Sequence, residues 1–106
     1  MIHEVDLSSF ATAHGNGAYV VDVREPHEYI AGHVTGAVPM PLGQVPARMG
    51  ELPTDRPVYV ICASGNRSLT AAEWMNDKGV DAWSVAGGTG AWMRAGGPIT
   101  RGAGPA

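Results

Sequence analysis

Val58-Tyr59-Val60-Ile61-Cys62-Ala63-Ser64-Gly65-Asn66-Arg67-Ser68 is the stretch on which the reading of this chain turns. Four apolar, mostly β-branched residues bounded by Pro57 predict a short buried strand. A polar segment with one glycine follows, and then Leu69, Ala72 and Met75 recur at helical spacing. They predict a helix over about Arg67 to Lys78, stopped by Gly79. A cysteine therefore stands at the carboxyl end of a strand, with a turn and a helix N-terminus directly after it. Open α/β sheets bind ligands at that edge.

The arrangement suits an activated thiol. Free N–H groups at a helix N-terminus point toward an anion, and Gly65 lets the backbone turn so that several amides face one point. A free cysteine titrates near ~8.5, and a helix dipole contributes roughly 0.3–1 kcal/mol, about one unit at most. Hydrogen bonds to an ionised acceptor are worth roughly 1.5–3 kcal/mol each. Two converging amides outweigh the dipole, so the loop is the activating device and the helix is secondary. A lone cysteine after an apolar strand is more often a small buried hydrophobe. A core cysteine needs no polar loop such as Ser64-Gly65-Asn66-Arg67-Ser68, and the functional reading is preferred.

Working outward, Asp6 caps a predicted helix over Leu7 to His14, with Gly15 and Gly17 ending it. Ala18 to Val23 reads as a buried strand, and Glu25-Pro26 opens a short helix ending near Gly32. Residues 33 to 43 read mainly as loop around a very short strand. A modest helix over Gln44 to Gly50 follows. Ala82 to Val85 is another strand, Gly87-Gly88-Thr89-Gly90 a turn, and Gly88 to Met93 a final helix. Strands alternating with helices predict an α/β fold, a mostly parallel sheet flanked by helices on both faces. The domain is expected over residues 1–95, and the Gly/Pro-rich tail 96–106 is expected to fray. Trp74 and Trp92 are expected in or near the core, Trp92 behind the cysteine loop.

Composition narrows the function. The chain has 106 residues, a formal charge of -3 and a single lysine, Lys78, so no basic stripe offers itself to nucleic acid. No apolar run reaches the roughly 20 residues of a membrane span. The start, Met1-Ile2-His3-Glu4-Val5-Asp6, lacks a signal-peptide pattern, and a cytoplasmic protein is expected. His27 and His33 lie six apart with no cysteine cluster beside them, so neither a metal site nor a cofactor is expected. Cys62 is the only cysteine. It has no internal thiol to pair with, so sulfur chemistry begun there must finish on another molecule.

At several separated places the sequence resembles the rhodanese family. Asp22-Val23-Arg24-Glu25 with Glu28-Tyr29, Gly32-His33 and Gly36-Ala37 is similar to its N-terminal signature. Cys62 to Ser68 is similar to its active-site loop, and Gly87-Gly88 with Trp92 to its C-terminal pattern. The resemblance spans about residues 5 to 95, in the family's order. It implies a five-stranded parallel sheet and a sulfurtransferase in which Cys62 takes sulfane sulfur as a persulfide. The sulfur would pass from a small-molecule donor such as thiosulfate to a thiol or cyanide acceptor, with a protein acceptor as a further class. It implies that backbone amides of Ala63, Ser64, Gly65, Asn66 and Arg67 cradle the sulfur. It further implies that Asp22 and Arg67 form a buried pair, with Arg24 near the loop mouth drawing in anionic donors. Ala63 and Ser64 depart from the basic residues that some thiosulfate-using relatives carry there.

Two rivals stand beside this reading. Cysteine phosphatases and arsenate reductases place five residues between Cys and Arg, giving a loop wide enough for a tetrahedral oxyanion. Here four separate Cys62 from Arg67. A non-enzymatic persulfide carrier or protein-interaction module on the same fold is the other rival.

Overall fold

The computed structural model describes residues 3–106. Met1 and Ile2, on which the signal-peptide reading partly rests, lie outside the described residues.

The central sheet is built from β1 (Glu4–Val5), β2 (Tyr19–Asp22), β4 (Val38–Pro39), β5 (Val58–Ile61) and β6 (Ala82–Val85). Its order is β1-β6-β5-β2-β4, and every pairing is parallel. The helices are α1 (Leu7–Gly15), α2 (Pro26–Ala31), α3 (Val45–Arg48), α4 (Asn66–Asp77) and α5 (Gly88–Arg94). The Asp6 carboxylate accepts from the Ser9 amide at 2.7 Å, which fixes the start of α1 as its sequence predicts.

Because successive strand residues face opposite ways, β5 feeds two cores. Val58, Val60 and Cys62 join Val21, Ala71, Ala72, Met75 and Ala82 beneath α4. Ile61 joins Phe10, Val20, Tyr29, Val34, Val85 and Trp92 on the other face. The central strands are buried on both sides, as their near-continuous apolar runs require.

Three local expectations are corrected. The helix read over Gln44 to Gly50 is a four-residue α3 flanked by 3-10 turns at Leu42–Gln44 and Met49–Glu51. Pro46 and the glycines on either side leave no room for a longer run. Trp74, expected in or near the core, is 37% exposed, since α4 turns Ala71, Ala72 and Met75 inward instead.

The tail does not fray. Ile99–Thr100 forms β7, antiparallel to β3 (His33–Val34). The Trp92 indole donates to the Pro98 carbonyl at 2.9 Å, Gly36 N–H donates to Pro105 O at 2.8 Å, and His33 Nε2 lies 3.2 Å from the same oxygen. Gly97 lies flat against the Trp92 ring, where a Cβ would come within 2.1 Å of it. Composition alone suggested disorder; backbone partners across residues 33–36 override it. Trp92 itself packs edge-on against Phe10, with ring centroids 5.1 Å apart, in the core below α1.

Candidate active site

Cys62 follows the last residue of β5, and α4 begins four residues later at Asn66. Gly65 makes the turn at φ 109°, in the left-handed region that a side chain disfavours. The loop rests on the first turn of α5. Thr89 N–H donates to Cys62 O at 2.8 Å and Gly90 N–H to Ala63 O at 3.1 Å. With those carbonyls held from below, peptide N–H groups of the loop turn inward. Gly65 N–H meets Cys62 Sγ at 3.1 Å, and Ser68 Oγ stands 3.4 Å from the sulfur.

Cys62 has no exposed surface. Burial pushes its thiol up, but the Ser68 hydroxyl and the amides of Ser68, Gly65 and Ser64 together outweigh that and hold it below its ordinary value. Of the expected cradle, Ser64 and Gly65 take part. Ala63 contributes its carbonyl to α5, and Asn66 and Arg67 start the helix. Gly88 explains why α5 can sit so close. At φ 58° a Cβ there would lie 2.5 Å from Cys62 O and 2.7 Å from Ala63 C. Gly88→Ala is therefore expected to displace the loop, costing roughly 1–3 kcal/mol and raising the Cys62 pKa. Melting temperature and thiol titration check both effects, and an unshifted titration would show that α5 does not brace the loop.

The expected Asp22–Arg67 pair does not exist. Asp22 is fully buried and binds Arg24, whose Nη2 lies 2.8 Å from Oδ2 and whose Nε lies 3.0 Å from Oδ1. Arg24 N–H also donates to Oδ1, and Nη2 to Gly32 O. Two residues apart at a strand end, the two side chains fall on the same side, and the short span lets the guanidinium fold back onto the carboxylate. Arg24, 7% exposed, is accordingly a buried structural cation and not a free charge at the loop mouth. Arg67 instead forms a two-point pair with Glu28 of α2, Nη1 to Oε1 at 2.7 Å and Nη2 to Oε2 at 3.0 Å. The pair clamps the start of α4 to α2.

Arg67 pulls the Glu28 carboxyl down to about 2 against the upward push of burial, with a further bond from the Glu25 amide. Its folded pKa lies below the ordinary 4.5. The unfolded chain then binds the extra proton first as the solution is acidified. The stabilisation is complete above about pH 4.5 and fades as pH falls toward 2. Glu28→Gln should lose that component, so its urea midpoint should fall less between pH 5 and pH 3 than the parent's. Equal slopes would remove the pair from the acid response.

Sequence reasoning quoted Ser68 without giving it a role and passed over Ser84, whose hydroxyl lies 2.7 Å from that of Ser68. The available signal was a hydroxyl inside the otherwise apolar strand Ala82-Trp83-Ser84-Val85. Arg94 was missed too. Its Nη1 reaches back over Gly90, 3.4 Å from where a Cβ would stand, beside the Ala63 carbonyl. Among the described residues, no group of three or more His, Cys, Asp or Glu could hold a metal ion. His33 faces the carbonyls of Tyr29 and Pro105.

A strand–loop–helix cradle around one lowered thiol, at the carboxyl edge of a parallel five-stranded sheet, marks a class of single-cysteine transfer proteins. The rhodanese-like domain model matches residues 6–95. The chain is 35% identical over 102 residues to a sulfurtransferase of Allochromatium vinosum, covering 93% of this chain and 95% of that one. It superposes with a TM-score of 0.86 on a rhodanese-related protein from Thermoplasma volcanium, at 30% identity and with 92% and 97% of the two chains covered. The rhodanese-like domain of the Anabaena Alr3790 protein gives a TM-score of 0.83 at 25% identity, covering 95% of this chain and 80% of that one. This chain belongs to the rhodanese-like domain family. Its role is of the sulfurtransferase kind.

Proposed function

We propose that Cys62 carries sulfane sulfur as a persulfide between a small anionic donor and a thiophilic acceptor. The single observation that carries the reading is the environment of Cys62 Sγ, which accepts from Gly65 N–H at 3.1 Å and as the thiol donates to Ser68 Oγ at 3.4 Å, a hydroxyl that can turn to donate when the sulfur ionises. With thiosulfate as donor, the Cys62 thiolate attacks the outer sulfur. The bond between the two donor sulfurs breaks, and sulfite leaves with the electron pair. Cyanide or a thiolate then attacks the outer sulfur of Cys62–S–S⁻, giving thiocyanate or a new persulfide and returning the Cys62 thiolate. A cradle that stabilises the thiolate stabilises the leaving group of this second step as well.

The loop of four residues between Cys62 and Arg67 suits one added sulfur better than a tetrahedral phosphate. The cations flanking it are Arg67 and Arg94, and Arg67 is already paired with Glu28. The loop thus presents less positive charge than a dianionic donor would favour, and turnover of a neutral or thiol-bound sulfane donor should compare well with that of thiosulfate. Because the sulfur is covered, a donor reaches it by displacing part of the loop. Ser64 and Asn66 are the exposed residues of the loop and the part that would give way to a donor.

The protein is treated with thiosulfate or a glutathione persulfide, and its intact mass is measured before and after addition of cyanide. A gain of one sulfur that cyanide removes supports transfer. A gain that no acceptor removes supports a storage role, and no gain with any donor supports a binding module.

A further inference from the structure

We infer that Ser84 is a positioning residue that acts on Cys62 through Ser68, the two hydroxyls forming a one-directional hydrogen-bond chain that is complete only when the sulfur is ionised. The inference rests on Cys62 being the reacting thiol.

Ser84 sits on β6, opposite Val60 of β5 on one side and Glu4 of β1 on the other. It lies between two hydrogen-bonded neighbours, β1 and β5, and is fully buried. Its side chain shares the α4 face with Val60 and Ala82, where an apolar residue would pack as well and need no partner. Among the described residues the Ser84 hydroxyl has one partner, Ser68 Oγ at 2.7 Å, and Ser68 Oγ has Cys62 Sγ at 3.4 Å as its other. Ser68 is likewise fully buried, in the first turn of α4.

Each hydroxyl has one proton to give. When Cys62 is a thiolate, Ser84 O–H donates to Ser68 Oγ and Ser68 O–H donates to the sulfur, so every donor is used and each bond polarises the next. When Cys62 is a thiol there are two choices. If S–H donates to Ser68, then either Ser68 donates to Ser84 and the Ser84 proton has no acceptor among the described residues, or Ser84 also donates to Ser68 Oγ and the Ser68 proton is the one left over. If the serines keep their first orientation, the S–H turns away and Ser68 donates to a neutral sulfur, a weak acceptor. Either way the thiol form is the poorer one. The thiol lies below its ordinary value despite burial, in keeping with this asymmetry.

The charged groups around the site act on the sulfur without passing through Ser84, so its replacement leaves their effect in place. Arg67 of α4, whose own pKa the Cys62 charge helps to raise, is tied to Glu28 of α2, Asp22 and Arg24 at the end of β2 neutralise each other, and Arg94 of α5 lies over Gly90. The first turn of α5, Gly88 to Gly90, carries no charge, and neither does β6.

The test is the ultraviolet absorbance of the Cys62 thiolate against pH in the whole chain, with Cys62→Ser as the blank. It needs no access of reagent to the sulfur and no sulfur transfer, so it reads the chain even if the persulfide reading fails. Ser84→Ala should lower the thiolate-to-thiol ratio at pH 7 by about three- to tenfold. Ser68→Ala should lower it by about tenfold or more. Adding Ser84→Ala to Ser68→Ala should change nothing further. Ser84→Thr, which keeps the hydroxyl, should titrate like the parent. An unmoved midpoint in Ser84→Ala overturns the inference, as do additive shifts in the double variant. A Ser84→Thr midpoint displaced as far as that of Ser84→Ala would also overturn it, and this variant carries the test if Ser84→Ala does not fold.

Discussion

Cys62→Ser should reduce sulfur transfer by at least about a thousandfold, the scale on which removing a covalent nucleophile acts, while leaving the melting temperature within a few degrees of the parent. The serine oxygen is slightly smaller than the sulfur and equally able to accept from Gly65 N–H and meet the Ser68 hydroxyl. The cradle should therefore close on it without strain. The oxygen has no accessible ionisation near neutral pH and forms no persulfide. Steady-state transfer from thiosulfate to cyanide, and intact mass after donor treatment, read the two halves of this expectation. If the serine variant keeps the parent's rate, sulfur does not pass through this position.

The largest stability effect should come from Asp22→Ala. It strips the carboxylate from a guanidinium that is 7% exposed and leaves Arg24 with Gly32 O as its remaining acceptor. Breaking a buried pair on one side costs about 3–5 kcal/mol, a large share of the roughly 5–15 kcal/mol that holds a domain together. The melting temperature should fall by at least about 12 °C. Arg67→Ala should cost less than about 1 kcal/mol, because Arg67 and Glu28 are 34% and 24% exposed and water takes over much of the pairing. Replacing Asp22 and Arg24 together by Leu and Met should recover much of the Asp22→Ala loss. Urea melts of the three variants check the series. A larger loss for Arg67→Ala than for Asp22→Ala would mean that the buried pair has been assigned to the wrong arginine.

That assignment shows where reading from residues alone stops. The strands were legible because Val58 to Ile61 and Ala82 to Val85 are apolar runs, and packing against both faces enforces what their composition suggests. The cysteine loop was legible because a glycine and several polar residues directly after such a strand have no place in a core. The choice of partner for Asp22 was not legible. Arg24 and Arg67 both lie in the matching segments, and only the direction in which α2 presents Glu28 decides between them. The tail was misread because Gly and Pro were weighed by composition, whereas its order comes from backbone bonds to residues 33–36 and from the flat face of Trp92. Ser84 escaped notice because a serine within a strand has no local signature. Its meaning depends on Ser68, sixteen positions away, arriving on the same face.

Covering the sulfur has a consequence for survival in an aerobic environment. A cysteine held as the thiolate is the form peroxide attacks first, and the sulfenic acid that results continues to sulfinic acid unless another thiol intercepts it. This chain offers none of its own, so damage at Cys62 would be permanent without outside help. With the sulfur enclosed, the displacement of the loop proposed to admit a donor would be the same one that admits an oxidant. On that proposal, one property of the loop would set the working lifetime of the protein as well as its speed.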